Sequence, residues 1–395
     1  MTNYLNQHKS SAPINTPGHL LANVPGALGF YPTDSVIFMT FEPCPQGMAM
    51  GPVARIDFDD AQEALPEIWE TIVSPQTEGV FAFFITERPM DEVDALAEWM
   101  YALHKHTHGM DIDAAWHTTE IVTGARYEIL FGVVNHEGNG PMKKWREGPI
   151  PALTDAPTMQ HCVGKELIPE LSREELYQKF ARDNPRLSRE ESKRIAKRAL
   201  AHAHQFRAEV ELSDEDPDSA IEDFLGDAWW QLRCLDDLDA TLGDVEALET
   251  CATWMATTWS RDLVIAQLCQ QPDKASVLLL ATARTFEGVI RYNALALYAI
   301  TQMQLDRGQL AGPALNVLTE EAPEHSLGGL VHQIFRLGLS EKLVDVMRTA
   351  SDVARQMVEQ ARHEAKTSKA SQGTDGASKK RQQNRWGAEG AGEVA

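Results

Sequence analysis

Apolar positions in the first third of the chain switch repeatedly between helical and alternating spacing. The segment from Thr16 to Thr40, TPGHLLANVPGALGFYPTDSVIFMT, packs three elements into one stretch. Thr16 followed by Pro17 suits a helix N-cap with proline at the first helical position, where its missing N–H costs nothing. Leu20, Leu21 and Val24 make one apolar face, and Pro25, Gly26 and Gly29 are expected to end the helix. Pro32, Thr33 and Asp34 supply turn chemistry ahead of Val36–Met39, a run as β-branched and aromatic as a buried strand requires.

The same alternation continues. Ala49–Phe58 reads as a second strand able to pair with Val36–Phe41. Asp59–Val73 follows as a helix with Ala64, Ile68, Trp69 and Ile72 on one face. Gly79–Thr86 (GVFAFFIT) is apolar throughout, which predicts a strand central in a sheet. Met90–His104 is amphipathic, with Val93, Leu96, Ala97, Met100 and Leu103 on its apolar stripe; strands near Ala114–Val122 and Tyr127–Val134 come next. Strands alternating with helices predict an α/β domain with a mixed sheet.

The Gly- and Pro-rich segment His136–Thr158 reads as a connection. Beyond it the pattern is almost uninterrupted helix. Ser172 with Glu175, and Ser188 with Glu191, have capping-box spacing, and Pro185 separates the two helices. Ser213–Ser219 (SDEDPDS) is an acidic loop. Helices are expected near Ala220–Cys234, Asp244–Trp259, Arg261–Gln270, Ala275–Phe286, Tyr292–Asp306, Gly312–Glu320 and Gly328–Leu337, with a last one over Leu339–Ala365. Tyr292–Leu337 resembles a tetratricopeptide helix hairpin, but one copy does not make a solenoid, so the expectation is an irregular all-α region. The expected organisation is a disordered arm over 1–13, the α/β domain over 14–150, a connecting segment with linker helices over 151–219, an all-helical domain over 220–365 and a disordered tail over 366–395.

Composition narrows the function classes. The chain of 395 residues has room for two domains. Its net charge of −22 argues against broad binding to nucleic acid or anionic membranes, which need a basic footprint. The five cysteines (Cys44, Cys162, Cys234, Cys251 and Cys269) are odd in number and never in C-x-x-C spacing, which suits reduced thiols in the cytoplasm. The polar N-terminus lacks a signal-peptide core, and no apolar run approaches the ~20 residues that span a bilayer.

One family resemblance falls on these elements. Pro25, Leu28, Gly29, Phe30, Pro32, Asp34, Ser35 and Val36 resemble the P-x-x-L-G-F-x-P corner and D-S-[LV] strand of an actinobacterial family known as domain of unknown function 4192. Ala156–Phe180 (APTMQHCVGKELIPELSREELYQKF) is similar to that family's V-x-x-G…L-P-x-[SR]-R-E-x-L segment, and a third similar segment lies near the C-terminus. The resemblance implies an architecture and no activity.

Candidate chemistry is sparse. His104, His106, His108, Asp111 and Asp113 form a tempting metal-ligand cluster, but Gly109 and Met110 break the H-x-H-x-D-H pattern, and a polar helix end capped by Gly109 is the preferred reading. His161 and Cys162 are adjacent, and neighbours point apart, so a buried structural cysteine is expected instead of a dyad. Asp57, Asp59 and Asp60 are read as capping the helix that follows. Trp229, Trp230, Trp254 and Trp259 are read as helical core. The ten Lys and Arg residues in Arg173–Arg207 are read as a solvated face, and Lys379–Arg385 with Trp386 as a solubilising tail. Gly124-Ala-Arg126-Tyr127 resembles the family's Gly-Arg-aromatic motif, although the cysteine-containing loop expected after it is absent from Phe131–Gly140.

The leading expectation is a non-catalytic cytoplasmic binding or scaffolding protein, with a protein partner on its helical region and no metal or cofactor. The alternative is a small-molecule enzyme, such as a hydrolase, whose pocket lies at the strand ends near Glu42, Thr86, Glu87 and Arg126. In the corner, Gly29 and Pro32 are expected to be structural, with Asp34 and Ser35 bonding nearby backbone.

Overall fold

The computed structural model describes residues 16–45, 47–106, 111–132, 143–212, 217–235 and 237–339, with positions 343, 347, 349, 353–357 and 360 beyond them. The described chain divides into two compact units. One holds residues up to Ala181 together with Tyr298–Leu343, and the other holds Arg182–Leu297 with the residues from Val344 onward.

The first unit is built on a six-stranded mixed sheet. Its elements are α1 (Pro17–Leu28), β1 (Ser35–Cys44), β2 (Gly47–Asp57), α2 (Ala61–Ile72), β3 (Gly79–Ile85), α3 (Met90–His106), β4 (Ala114–Thr118), β5 (Arg126–Gly132), α4 (Lys143–Arg146), β6 (Glu147–Pro149), α5 (Pro157–Gly164) and α6 (Arg173–Gln178). The strand order is β2-β1-β3-β4-β5-β6. Only β3 and β4 run parallel, joined through α3; every other neighbouring pair is antiparallel.

Alternation along the strands sorts their side chains to two faces. Val36, Phe38, Ile56 and Phe84 pack with Leu65 and Trp69 of α2 and Val93 and Met100 of α3. Ile37, Met39, Phe83, Ile85 and Trp116 face the other way, onto Leu20, Leu21 and Val24 of α1 and Met159 of α5. Trp116 Nε1 donates to the Trp145 carbonyl at 2.6 Å, which satisfies the indole inside that second core. The segment read as a bare connection in fact contains α4, β6 and the start of α5. Strand β6 is three residues long and polar, so it carries no alternation; its register opposite Arg126–Glu128 alone makes it a strand.

Helix α1 begins as expected, with Thr16 Oγ1 accepting from His19 N, but it runs through Pro25 and Gly26 to Leu28. The Pro25 carbonyl accepts the Gly29 N–H at 2.8 Å, and Gly29 closes the helix in the left-handed conformation at φ 83°. Packing against α5 outweighs the N–H lost at Pro25. A Cβ on Gly26 would lie 2.6 Å from Thr158 Oγ1, so only glycine lets α5 come this close. Asn23 fastens the pair, its two oxygens accepting from Thr158 N and Thr158 Oγ1. Past Gly29 the chain pairs briefly with Glu170, whose carbonyl accepts from Tyr31 N.

The second unit is helical: α7 (Arg189–Leu212), α8 (Pro217–Cys234), α9 (Leu238–Gly243), α10 (Val245–Met255), α11 (Thr258–Gln270), α12 (Pro272–Thr285) and most of α13 (Val289–Gln304). The expected helix Asp244–Trp259 is broken at Thr257, which with Ser260 forms a capping box that starts α11. Ser188 and Glu191 form the reciprocal bonds anticipated from their spacing. Trp254 and Trp259 are buried as expected, whereas the side chains of Trp229 and Trp230 lie outside the described residues. Arg261 is buried and satisfied, its guanidinium donating to Asn293 Oδ1 and Asp262 Oδ1. After α13 the chain contributes α14 (Gly308–Glu321) and α15 (Ser326–Arg336) to the first unit.

Candidate ligand-binding site

Strand direction decides which of the expected pocket residues can meet. In the β1/β3 register Ser35 lies opposite Ile85, and Phe41 opposite Gly79. Glu42 therefore stands beside the start of β3, while Thr86 and Glu87 follow the other end of that strand. Glu42 accepts a hydrogen bond from Ser74 Oγ at 3.3 Å. Thr86 is buried and Glu87 exposed, and Arg126 lies on the surface 3.5 Å from Glu147. These four residues do not line one cavity.

Thr86 belongs instead to a fastening at the corner. Asp34, a non-glycine residue at φ 47°, accepts from Thr86 Oγ1 at 2.6 Å and from Arg88 Nε and Nη2 at 2.8 and 2.7 Å. Arg88 also donates to both oxygens of Asp59 and lies over the Phe58 ring. The Arg88 hydrogen bonds hold the Asp34 and Asp59 carboxyls below the usual carboxylate range, against a smaller opposing effect of burial, and raise the guanidinium's own pKa in turn. The Asp34 carboxylate thus bonds side chains where backbone N–H groups were expected. Ser35 Oγ donates to the Thr33 carbonyl and accepts from Arg55 Nε.

Beside this corner opens a cavity of about 360 Å³. The end of α1 gives it Leu28 and, just beyond, Phe30; β2 gives Arg55, Ile56 and Asp57. Asp60, Ala64 and Ile68 come from the start of α2, and Arg173 and Tyr177 from α6. The remaining wall is Gln309, Gly312, Pro313 and Asn316 of α14 with Phe335 of α15. Its size falls within the range of small-molecule sites, and its make-up is an apolar wall with a few convergent polar groups.

The polar groups are held in place. Arg55, mostly buried, donates through Nε to Ser35 Oγ at 2.9 Å and through Nη2 to Asp57 Oδ1. Arg173 stacks on Tyr177 with its guanidinium carbon 4.9 Å from the ring centroid, and its Nη1 lies 3.8 Å from Asp57 Oδ2. Asn316 Nδ2 donates to the Tyr177 hydroxyl at 2.8 Å, which leaves the phenolic proton for another acceptor. Asp60 sits at the N-cap of α2 yet makes no side-chain cap bond, because its backbone is already helical at φ −90°, ψ −4°. The capping role read for Asp57, Asp59 and Asp60 is therefore replaced: Asp57 pairs with Arg55, Asp59 pairs with Arg88, and Asp60 faces the cavity.

The other candidates resolve locally. Cys162 is buried, with its thiol directed to the Gly26 carbonyl, while His161 Nε2 contacts the Asp306 carbonyl; the two side chains part company as adjacent residues on a helix do. Burial pushes the Cys162 thiol up to about 11. Of the histidine cluster, residues 107–110 and the side chains of His104 and His106 lie outside the described residues; Asp113 accepts from Val80 N at 2.8 Å and acts as a strand fastener. The tail around Lys379 also lies outside the described residues.

Sequence reasoning missed Arg55, Tyr177, Asn316 and Phe335. Arg55 sat inside an ordinary strand pattern, and the others come from helices far along the chain. One signal did exist. Leu28 and Phe30 belong to the first stretch of family likeness and Arg173 to the second, and both stretches face this cavity.

Fold and site together define an α/β protein with a mixed antiparallel-rich sheet, a helical second unit and an amphipathic cavity at the sheet's corner. The chain belongs to the family described as Domain of unknown function (DUF4192), whose model matches residues 17–342. No curated protein and no solved structure matches it. Among the described residues, no helix is long and apolar enough to cross a membrane.

Proposed function

We propose that this chain is a non-catalytic cytoplasmic binding protein whose ligand occupies the corner cavity. The observation that carries the reading is the pair of guanidiniums, Arg55 and Arg173, fixed by side-chain partners beside an apolar wall. Preorganised groups of this kind lower the ordering cost of binding a small molecule. The lining offers guanidinium, carboxylate, amide and phenol groups for recognition. Among the described lining residues there is no serine, threonine, cysteine, lysine or histidine, and in this reading the Asp57 and Asp60 carboxylates and the Tyr177 phenol serve recognition. Cys44, Cys162, Cys251 and Cys269 form no disulfide among the described residues, which suits a reducing compartment.

The test is a thermal-shift screen of the full chain against a mixed set of small metabolites, repeated with Ala64→Phe, which fills the cavity. A binding protein shows at least one compound that raises the melting temperature of the parent but not of the variant, and mass spectrometry recovers that compound unchanged. A screen without any such compound, or recovery of a converted product, overturns the reading.

A further inference from the structure

The charges around the cavity are balanced, and they are not all engaged. Arg55 and Asp57 satisfy one another. That leaves Arg173 and Asp60. Among the described residues, Arg173 has Asp57 Oδ2 at 3.8 Å as a long ion-pair partner, with Glu320 also acting on its charge, and no carboxylate within hydrogen-bond distance. Asp60 makes no side-chain cap bond, and no side-chain hydrogen bond or ion pair engages it among the described residues. Both flank Asp57: Asp60 N donates to the Asp57 carbonyl at 3.1 Å, and Arg173 approaches the Asp57 carboxylate. A cation held only by a long ion pair and by its stack on Tyr177, and an exposed carboxylate with no side-chain partner among the described residues, thus line one cavity.

A simple anion would meet Arg173 but be repelled by Asp60, and a simple amine would meet the reverse. A molecule carrying both charges close together satisfies both. The Tyr177 hydroxyl, with its oxygen already accepting from Asn316, adds a donor beside Arg173. The rest of the wall, Leu28, Ile56, Ile68 and Phe335, calls for an apolar substituent on the same molecule.

We infer that the cavity takes a free α-amino acid with an apolar side chain, an inference that rests on the binding function proposed above. The carboxylate lies on Arg173 and Tyr177, the ammonium on Asp60, and the side chain on the wall formed by α2 and α15. On this inference each charge on the ligand is separately necessary.

Isothermal titration of the full chain tests this with L-phenylalanine and L-leucine as probes. N-acetyl-L-phenylalanine removes the ammonium, L-phenylalaninamide removes the carboxylate, and glycine removes the apolar side chain. Each of the three binds about tenfold or more weakly than L-phenylalanine, the loss expected for one charge-assisted contact or one buried side chain. Asp60→Asn narrows the gap between L-phenylalanine and its N-acetyl form, and Arg173→Met narrows the gap to the amide. Equal affinity for the parent amino acid and either blocked form overturns the amino-acid assignment and leaves the binding function standing. So does a failure of both probes when the metabolite screen still finds a cavity ligand of other chemistry. Unchanged L-phenylalanine affinity in Ala64→Phe places the ligand elsewhere and overturns the site. An empty screen overturns the binding function itself.

Discussion

Gly29 and Gln309 meet so closely that a Cβ on the glycine would stand 3.1 Å from the Gln309 Cβ and 3.2 Å from its carbonyl oxygen. Gly29 also has φ 83°, so alanine there is disfavoured by the backbone as well as by its neighbour. Gly29→Ala should lower stability by about 1–3 kcal/mol. Chemical denaturation measures it, and an unchanged midpoint would count against the corner as a rigid feature.

Asp34 and Arg88 give the corner a dependence on acid. The Arg88 hydrogen bonds lower the folded carboxyl below its ordinary 3.8. The stabilisation is therefore fully present above that value and is lost as pH falls through the lower, folded one. Arg88→Met should flatten the decline in melting temperature below about pH 4. Asp34→Asn keeps a residue that tolerates positive φ, and the carboxylate is half exposed, so its cost at neutral pH should be about 1 kcal/mol or less.

Phe84 is wholly buried on the α2–α3 face of the sheet, edge-on to Phe58 with ring centroids 6.3 Å apart. Phe84→Ala removes most of that packing and should cost about 3–5 kcal/mol. Equilibrium denaturation of the full chain reads the effect. A cost near that of a surface substitution would contradict the burial.

Cys162 and Cys251 should resist alkylation in the folded protein. Burial raises their thiols to about 11 and about 12 and also closes access to them. Cys44 and Cys269 are partly exposed and should be modified first. Peptide mass spectrometry after brief iodoacetamide treatment near neutral pH distinguishes the two groups.

Much of the sheet was legible because local pattern and tertiary burial agree there. Val36 and Phe38 face one core and Ile37 and Met39 the other, and the unbroken apolar run of β3 reflects a strand covered on both sides. What stayed hidden depends on direction and distance. Glu42 and Thr86 looked like neighbours at strand ends until the antiparallel pairing of β1 with β3 separated them. Pro25 and Gly26 looked like helix breakers because the close approach of Thr158 is invisible at their own position in the chain. The cavity draws on Arg55, Arg173 and Phe335, residues that no local periodicity relates.

Because α14 and α15 belong to the sheet unit yet follow the whole of α7 to α12, that unit is assembled from two instalments of the chain. On a ribosome adding about 5–20 residues per second, the sheet would emerge on the order of ten seconds before Gly308 arrives. Through that interval the nascent corner has Gly29, Phe30 and Arg55 but not the wall carrying Gln309, Asn316 and Phe335. The cavity is thereby closed only once the chain has been made through Phe335, and a product released before Gly308 would keep the sheet's own residues while lacking the wall that α14 and α15 supply.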